Sequence, residues 1–212
     1  MKKIIDLTHK YKAKILIDGA QAAAHIKIDV QNLDADYYCF SAHKLYGPTG
    51  VGVLYGKEDL LNMLPPYQGG GEMIQEVTLS NTTYACLPHK FEAGTPNIAG
   101  VVGFKPAIDF ITSLGLENIK LHEEELLDYA TDKILQIDGL KIYGNAKNKS
   151  AIISFMLDNI HPYDVGLILD KMGVAIRTGN HCTQRIMDKF NLPGRARVSL
   201  AVYKTKEVVE IC

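Results

Sequence analysis

Ile15-Leu-Ile-Asp-Gly-Ala-Gln21 and Tyr37-Tyr-Cys-Phe-Ser-Ala-His-Lys44 are the stretches that decide the fold. The apolar run Ile15–Ile17 closes on Asp18-Gly19, which reads as a short buried strand ending in a turn. Tyr37–Phe40 and Val51–Tyr55 read as two more strands of the same kind. A helical segment followed by closely spaced buried strands predicts an α/β sheet. In open α/β sheets ligands gather at the carboxyl ends of strands. Asp18 stands just after the first strand, and Ser41, His43 and Lys44 just after the second. If the two strands are neighbours, one rim receives a carboxylate, a hydroxyl, an imidazole and an amine.

Pyridoxal phosphate needs this set. A lysine amine bonds to it covalently, and a carboxylate pairs with its pyridinium nitrogen so that the ring stays protonated and accepts electrons. Gln21, three residues past Asp18, can hydrogen-bond the ring hydroxyl, and Ser41 and His43 can bind phosphate. Each residue taken singly also has a plainer reading. Asp18 before Gly19 serves as a turn residue, and His43-Lys44 as a solvated loop. Their joint occurrence carries the argument.

Outward from this core, Ile4 to Tyr11 has apolar residues Ile4, Ile5, Leu7 and Tyr11 at near-helical spacing and predicts the end of an amphipathic helix. Gly69-Gly-Gly71 and Gly94-Thr-Pro-Asn97 mark loops. From about Ala99 to Leu135 the pattern is helical, with Pro106 predicting a kink or a helix start. Ile152–Leu157 reads as a strand, Asp164–Met172 as a helix stopped by Gly173, and Val198–Val202 as a last strand. The domain boundary is placed near residue 108, giving a sheet region over 1–108 and a smaller α+β region over 109–212.

The 212 residues are 47% hydrophobic and 22% charged, with 23 Lys plus Arg against 24 Asp plus Glu and a net charge of -1. That balance offers no strong field for nucleic acid or an anionic membrane. No apolar stretch nears the roughly 18 residues of a membrane helix, and Asp6, His9 and Lys10 interrupt any signal-like run after Met1. Cys39, Cys86, Cys182 and Cys212 are far apart without a C-x-x-C pair, so neither a disulfide framework nor a zinc knuckle is expected. The expectation is a cytoplasmic protein with no metal, no nucleic-acid partner and no membrane association.

Cys182 follows Gly179-Asn180-His181 in a short polar stretch, where the adjacent His181 can favour a reactive thiolate. The plainer alternative is a small buried apolar residue. Cys39 lies in an apolar strand and reads as core. Arg197, just before the last strand, has the guanidinium fork that captures a carboxylate, although a surface role is common for arginine and Arg195 competes with it.

Together, Ile17-Asp-Gly-Ala-Gln21, Phe40-Ser-Ala-His-Lys-Leu-Tyr-Gly-Pro-Thr-Gly50, Phe91-Glu-Ala-Gly-Thr-Pro-Asn97 and Arg177-Thr-Gly-Asn-His-Cys182 resemble the cysteine desulfurases, and among them most the Suf-type (group II) enzymes with their Arg-x-Gly-x-x-Cys motif. The resemblance implies a fold-type I PLP-dependent transferase of the class V aminotransferase-like group: here an incomplete large α/β domain plus a small α+β C-terminal domain. It implies that Lys44 carries pyridoxal 5'-phosphate, with Asp18 on the ring nitrogen, Gln21 on the ring oxygen, and Ser41 and His43 on the phosphate. Thr95 matches a threonine that reaches the phosphate of a neighbouring subunit, which implies a homodimer. Cys182 matches the persulfide-forming nucleophile and Arg197 the arginine that binds substrate carboxylate. The implied reaction takes sulfur from L-cysteine, leaves L-alanine, and passes the persulfide to a sulfur-acceptor protein for iron–sulfur cluster assembly. L-selenocysteine is an alternative substrate, and a class V lyase without a cysteine nucleophile or an inactive remnant are alternative readings.

Two departures accompany the resemblance. Asn180 and Arg185 stand where the family usually has histidine and proline, which touches the loop of the nucleophile. The chain is also about half the family's usual length, with the N-terminal part lacking. The expectation is therefore a fragment, a truncated product or one half of a split enzyme that by itself does not bind cofactor productively.

Overall fold

A computed structural model describes residues 1–211, so Cys212 lies outside the described residues. The chain divides into two compact units, Met1–Leu116 and Glu117–Cys212. In the first, α1 (Lys2–Lys10) packs only Ile5 into the core, against Ile17, Ala35 and Tyr38. Ile4, Leu7 and Tyr11, expected on the same buried face, are exposed.

The sheet of the first unit follows the apolar runs. β1 (Leu16–Asp18), β2 (Tyr37–Ser41) and β3 (Gly52–Gly56) lie in the order β1-β2-β3. β1 runs parallel to β2, and β3 antiparallel to β2. Between β1 and β2 the chain passes through a short helix, α2 (Val30–Leu33), whose cap Asp29 accepts from the Asn32 amide at 2.9 Å. This satisfies one of the amides left free at a helix start. The strand starts are pinned by Asp36, which is 1% exposed. It accepts from the Ile15 amide and from the His9 ring, both at 3.0 Å, and lies 3.3 Å from the Lys57 ammonium.

α3 (Glu58–Met63) and a hairpin of β4 (Ile74–Val77) and β5 (Thr82–Tyr84) lead to α4 (Ile98–Leu114), capped by Asn97. The hairpin had no clear signal, since its strands are short and largely exposed. Pro106 lies inside α4 and neither starts nor ends it. The interruption falls instead at Gly115, whose φ of 81° suits glycine and stops the helix.

In the second unit α5 (Leu116–Ile134) lays Leu126, Leu127 and Ala130 on Ala151, Ile153, Leu200 and Val209. The sheet contains β6 (Leu140–Tyr143), β7 (Ile152–Leu157), β8 (Arg177–Gly179) and β9 (Arg195–Ser199) in the order β6-β7-β9-β8, all antiparallel. α6 (Pro162–Lys171), α7 (Gln184–Phe190) and α8 (Lys206–Ile211) complete it. The last strand was expected at Val198–Val202 and begins earlier. Ala196 and Leu200 are buried while Arg195 and Arg197 alternate with them, a period of two that charged residues obscure. No helix among the described residues is long and apolar enough alone to cross a membrane.

Candidate active site

Asp18 is the last residue of β1 and pairs with Cys39 in the parallel register with β2. The Gly19 amide donates to the Cys39 carbonyl at 2.8 Å, and the Asp18 carboxylate accepts from the Ala20 amide at 2.9 Å. The carboxylate is thus fixed at the strand end by its own turn. Gln21 follows it, exposed. Under this turn lies Tyr38, almost wholly buried, with a hydroxyl that has no hydrogen-bond partner among the described residues. A Cβ at position 19 would fall 1.9 Å from that hydroxyl, so the site requires glycine. Burial and then the nearby Asp18 charge push the Tyr38 phenol above its ordinary value.

β2 ends at Ser41, and a turn of 3₁₀ helix over Ala42–Leu45 follows. Ala42 is fully buried against Phe104 and Ala107 of α4. The Ala42 amide donates to the Val51 carbonyl at 3.0 Å, and the Ala42 carbonyl accepts from the Gly47 amide at 2.9 Å. This anchored alanine leaves His43 and Lys44 exposed. The Lys44 amine has no hydrogen bond or ion pair among the described residues. Because β1 and β2 are parallel neighbours, the Asp18 carboxylate and the Ser41–Lys44 turn share one rim of the sheet. An acid, a hydroxyl, an imidazole and a free amine there match the chemistry that pyridoxal phosphate requires. Thr95 is exposed in the loop before α4 and bonds to none of these residues among those described.

The second unit carries the sulfur loop. β8 pairs with β9 so that Arg177 faces Arg197 and Gly179 faces Arg195. The chain then turns through His181 and Cys182, both left-handed at φ 50° and 63°. Two such non-glycine residues in sequence cost about 1–3 kcal/mol each and are concentrated at functional loops. Thr183 ties the turn by donating from its amide and its hydroxyl to the Asn180 carbonyl, each at 2.8 Å. Cys182 is exposed, with the Arg177 guanidinium 3.9 Å from its sulfur.

His181 does not act as the cation beside the thiol. Its Nε2 donates to the Arg195 carbonyl at 3.0 Å, and its Nδ1 is buried without a partner among the described residues. Burial, opposed by that hydrogen bond, combines with the charges of Arg197, Arg177 and Arg195 to hold its pKa below the ordinary value. The cationic group that the structure places against the sulfur is the Arg177 guanidinium. Arg185 is exposed on α7. Arg197 is half-buried, and burial followed by the charges of Arg177 and Arg195 makes its proton less tightly held.

The structure thus brings Asp18, Ser41, His43 and Lys44 to one rim of the first unit, and Arg197 and Cys182 to one loop and strand pair of the second. Cys39 is half-buried in β2, in keeping with a packing role. Sequence reasoning passed over two residues. Arg177 stood in the quoted Arg-x-Gly-x-x-Cys spacing, five residues before the cysteine, without a role. Tyr38 was read only as part of an apolar strand.

The family model described as aminotransferase class V matches residues 1–211. A cysteine desulfurase of Serratia proteamaculans is 50% identical over 209 residues, covering 97% of this chain and 51% of its own. One from Shigella sonnei is 48% identical over 211 residues, covering 99% and 52%. Among solved structures, the Escherichia coli cysteine desulfurase CsdA, in an S-sulfonic acid form, superposes with a TM-score of 0.94 at 37% identity, over 99% of this chain and 52% of that one. The apo cysteine desulfurase of Thermococcus onnurineus gives a TM-score of 0.94 at 35% identity, over 99% and 53%. The chain spans about half the length of the curated relatives it matches.

Proposed function

The chain belongs to the aminotransferase class V family, and from that premise we propose that it carries the cofactor-holding strand ends and the sulfur-bearing loop of a cysteine desulfurase. The observation that carries the reading is the parallel pairing of Asp18 with Cys39, which sets the carboxylate on the same sheet rim as the Ser41–Lys44 turn. Names of relatives 47–50% identical across almost the whole chain support the same activity.

In this reading the residues divide the work. Lys44 holds pyridoxal 5'-phosphate covalently and moves protons at the substrate. Asp18 keeps a proton on the ring nitrogen, Gln21 contacts the ring oxygen, and Ser41 and His43 bind the phosphate. When bound, the cofactor supplies an electron-accepting ring that stabilises negative charge on the substrate carbon. Arg197 binds the α-carboxylate of L-cysteine, its fork suited to bidentate contact. Cys182 takes the sulfur: the substrate Cβ–S bond breaks, an S–S bond forms on Cys182, and a hydrogen replaces sulfur on Cβ to give L-alanine. The persulfide passes to an acceptor protein that serves iron–sulfur cluster assembly. The finer assignments belong to the same proposal: a Suf-type cytoplasmic enzyme, a homodimer in which Thr95 reaches the partner's phosphate, and turnover of L-selenocysteine as well.

The test co-expresses the chain with the remaining half of a relative such as the Serratia proteamaculans cysteine desulfurase, supplies pyridoxal phosphate and L-cysteine, and follows alanine together with persulfide on the Cys182 peptide. Lys44→Ala should remove both. Cys182→Ala should remove the persulfide and its transfer. Full turnover in Cys182→Ala would overturn the desulfurase reading in favour of a class V lyase that uses Lys44 alone.

A further inference from the structure

We propose that Arg177 is the positioning residue for the Cys182 sulfur, supplying its counter-charge so that Arg197 remains free for the substrate carboxylate. The inference rests on the desulfurase reading above. It starts from a cross-strand pair that is unfavourable by itself. Arg177 and Arg197 face each other between β8 and β9, and Arg195 is two residues from Arg197 on the same strand. Like charges directly opposite in a sheet destabilise it.

No described residue of the unit neutralises them. Among the described residues none of the three arginines forms an ion pair with a carboxylate, and the charged groups acting on Arg197 are Arg177, Arg195 and Cys182. The acids of the elements nearby, Asp164 and Asp170 on α6 and Asp188 on α7, do not act on it. The Nε atoms of Arg195 and Arg197 are buried without hydrogen-bond partners among the described residues, whereas the Arg177 fork is exposed and turned to the sulfur. Uncompensated positive charge around one exposed thiol draws anions to that place.

The cluster therefore has two places for negative charge. The one at the exposed end of Arg177 is occupied by the chain's own sulfur, 3.9 Å away. The left-handed turn at His181 and Cys182 points the thiol back to β8 and so to this guanidinium. Arg185 has the same charge on α7 but no contact with the sulfur, which makes it the natural control.

The experiment measures the alkylation rate of Cys182 by iodoacetamide at neutral pH in the full chain, reading the Cys182 peptide by mass spectrometry. A unit charge removed at about 4 Å in an exposed setting changes the rate roughly five-fold. Arg177→Gln should slow the reaction by that factor, Arg177→Lys should restore most of it, and Arg185→Gln should leave it unchanged. Raising salt to about 1 M should slow the unmodified chain more than it slows Arg177→Gln, in which Arg197 still acts on the sulfur. Should Arg177→Gln fail to fold, Arg177→Met removes the same charge while keeping most of the apolar stem. An unchanged rate in Arg177→Gln, equal slowing by Arg185→Gln, or a salt-independent rate in the unmodified chain each overturns the proposal. Persulfide formation is read separately. With the chain joined to that complementary half, persulfide formation with no Arg177 effect refutes this inference alone, and the Arg177 effect with no persulfide refutes the desulfurase reading alone.

Discussion

Gly19 shows how much of the rim depends on single residues. A methyl group there would press on the Tyr38 ring and hydroxyl, at 1.9–2.3 Å. Gly19→Ala is expected to cost about 1–3 kcal/mol by overpacking, measured by urea denaturation. Tyr38→Phe is expected to be neutral or stabilising, because the buried hydroxyl it removes has no partner. At the sulfur loop the backbone itself is the test. Cys182 holds φ 63°, so Cys182→Gly should be more stable than Cys182→Ala by about 1 kcal/mol in the same measurement. Equal stabilities would mean that the turn is not held left-handed in solution. At this scale the sequence was informative about identity and poor about environment. Asp18, Ser41, His43 and Lys44 could be picked out by chemical type. That His181 would be tied to the Arg195 carbonyl, and Arg177 turned to the sulfur, depends on the pairing of β8 with β9, which no local pattern announces.

Among the elements, β1 and β2 are joined at their starts by Asp36 and present their chemistry at their ends. Burial pulls the Asp36 carboxyl upward, but hydrogen bonds from His9, the Ile15 amide and Lys57 outweigh it and hold it below the ordinary value. A carboxyl depressed in the folded state contributes stability above its unfolded value, about 3.9, and that stability is lost as pH falls through the lower folded value. The thermal midpoint of the chain is therefore expected to fall below about pH 4, and Asp36→Asn to lose about 1–3 kcal/mol at neutral pH while flattening that acid limb. An Asp36→Asn chain with an unaltered acid limb would assign the effect elsewhere. The exposed Asp34, drawn down chiefly by its hydrogen bond with Lys57, contributes less because solvent screens it. Elements were legible in proportion to their apolar content. Ile15–Ile17, Tyr37–Phe40 and Ile152–Leu157 could be read as strands because packing requires apolar residues there. β8, three residues long, and the arginine-bearing start of β9 could not, because only pairing makes them strands. Pro106 does not start a helix, because Phe104, Ala107 and Ile111, buried on both sides of it, lie with it in α4.

Across the whole molecule, the first unit carries the amine and the carboxylate, and the second carries the thiol and the arginines. The central claim concerns the first: two adjoining strand ends direct Asp18 and Lys44 to one pyridoxal phosphate ring. Borohydride reduction of the chain mixed with pyridoxal phosphate arrests even transient attachment as a stable pyridoxyl-lysine, so it reads the site without requiring turnover. Mapping the label by mass spectrometry should find it concentrated on Lys44 ahead of the other exposed lysines, and Asp18→Ala should lower the Lys44 share. Label spread over surface lysines by exposure alone, and indifferent to Asp18, would contradict the account.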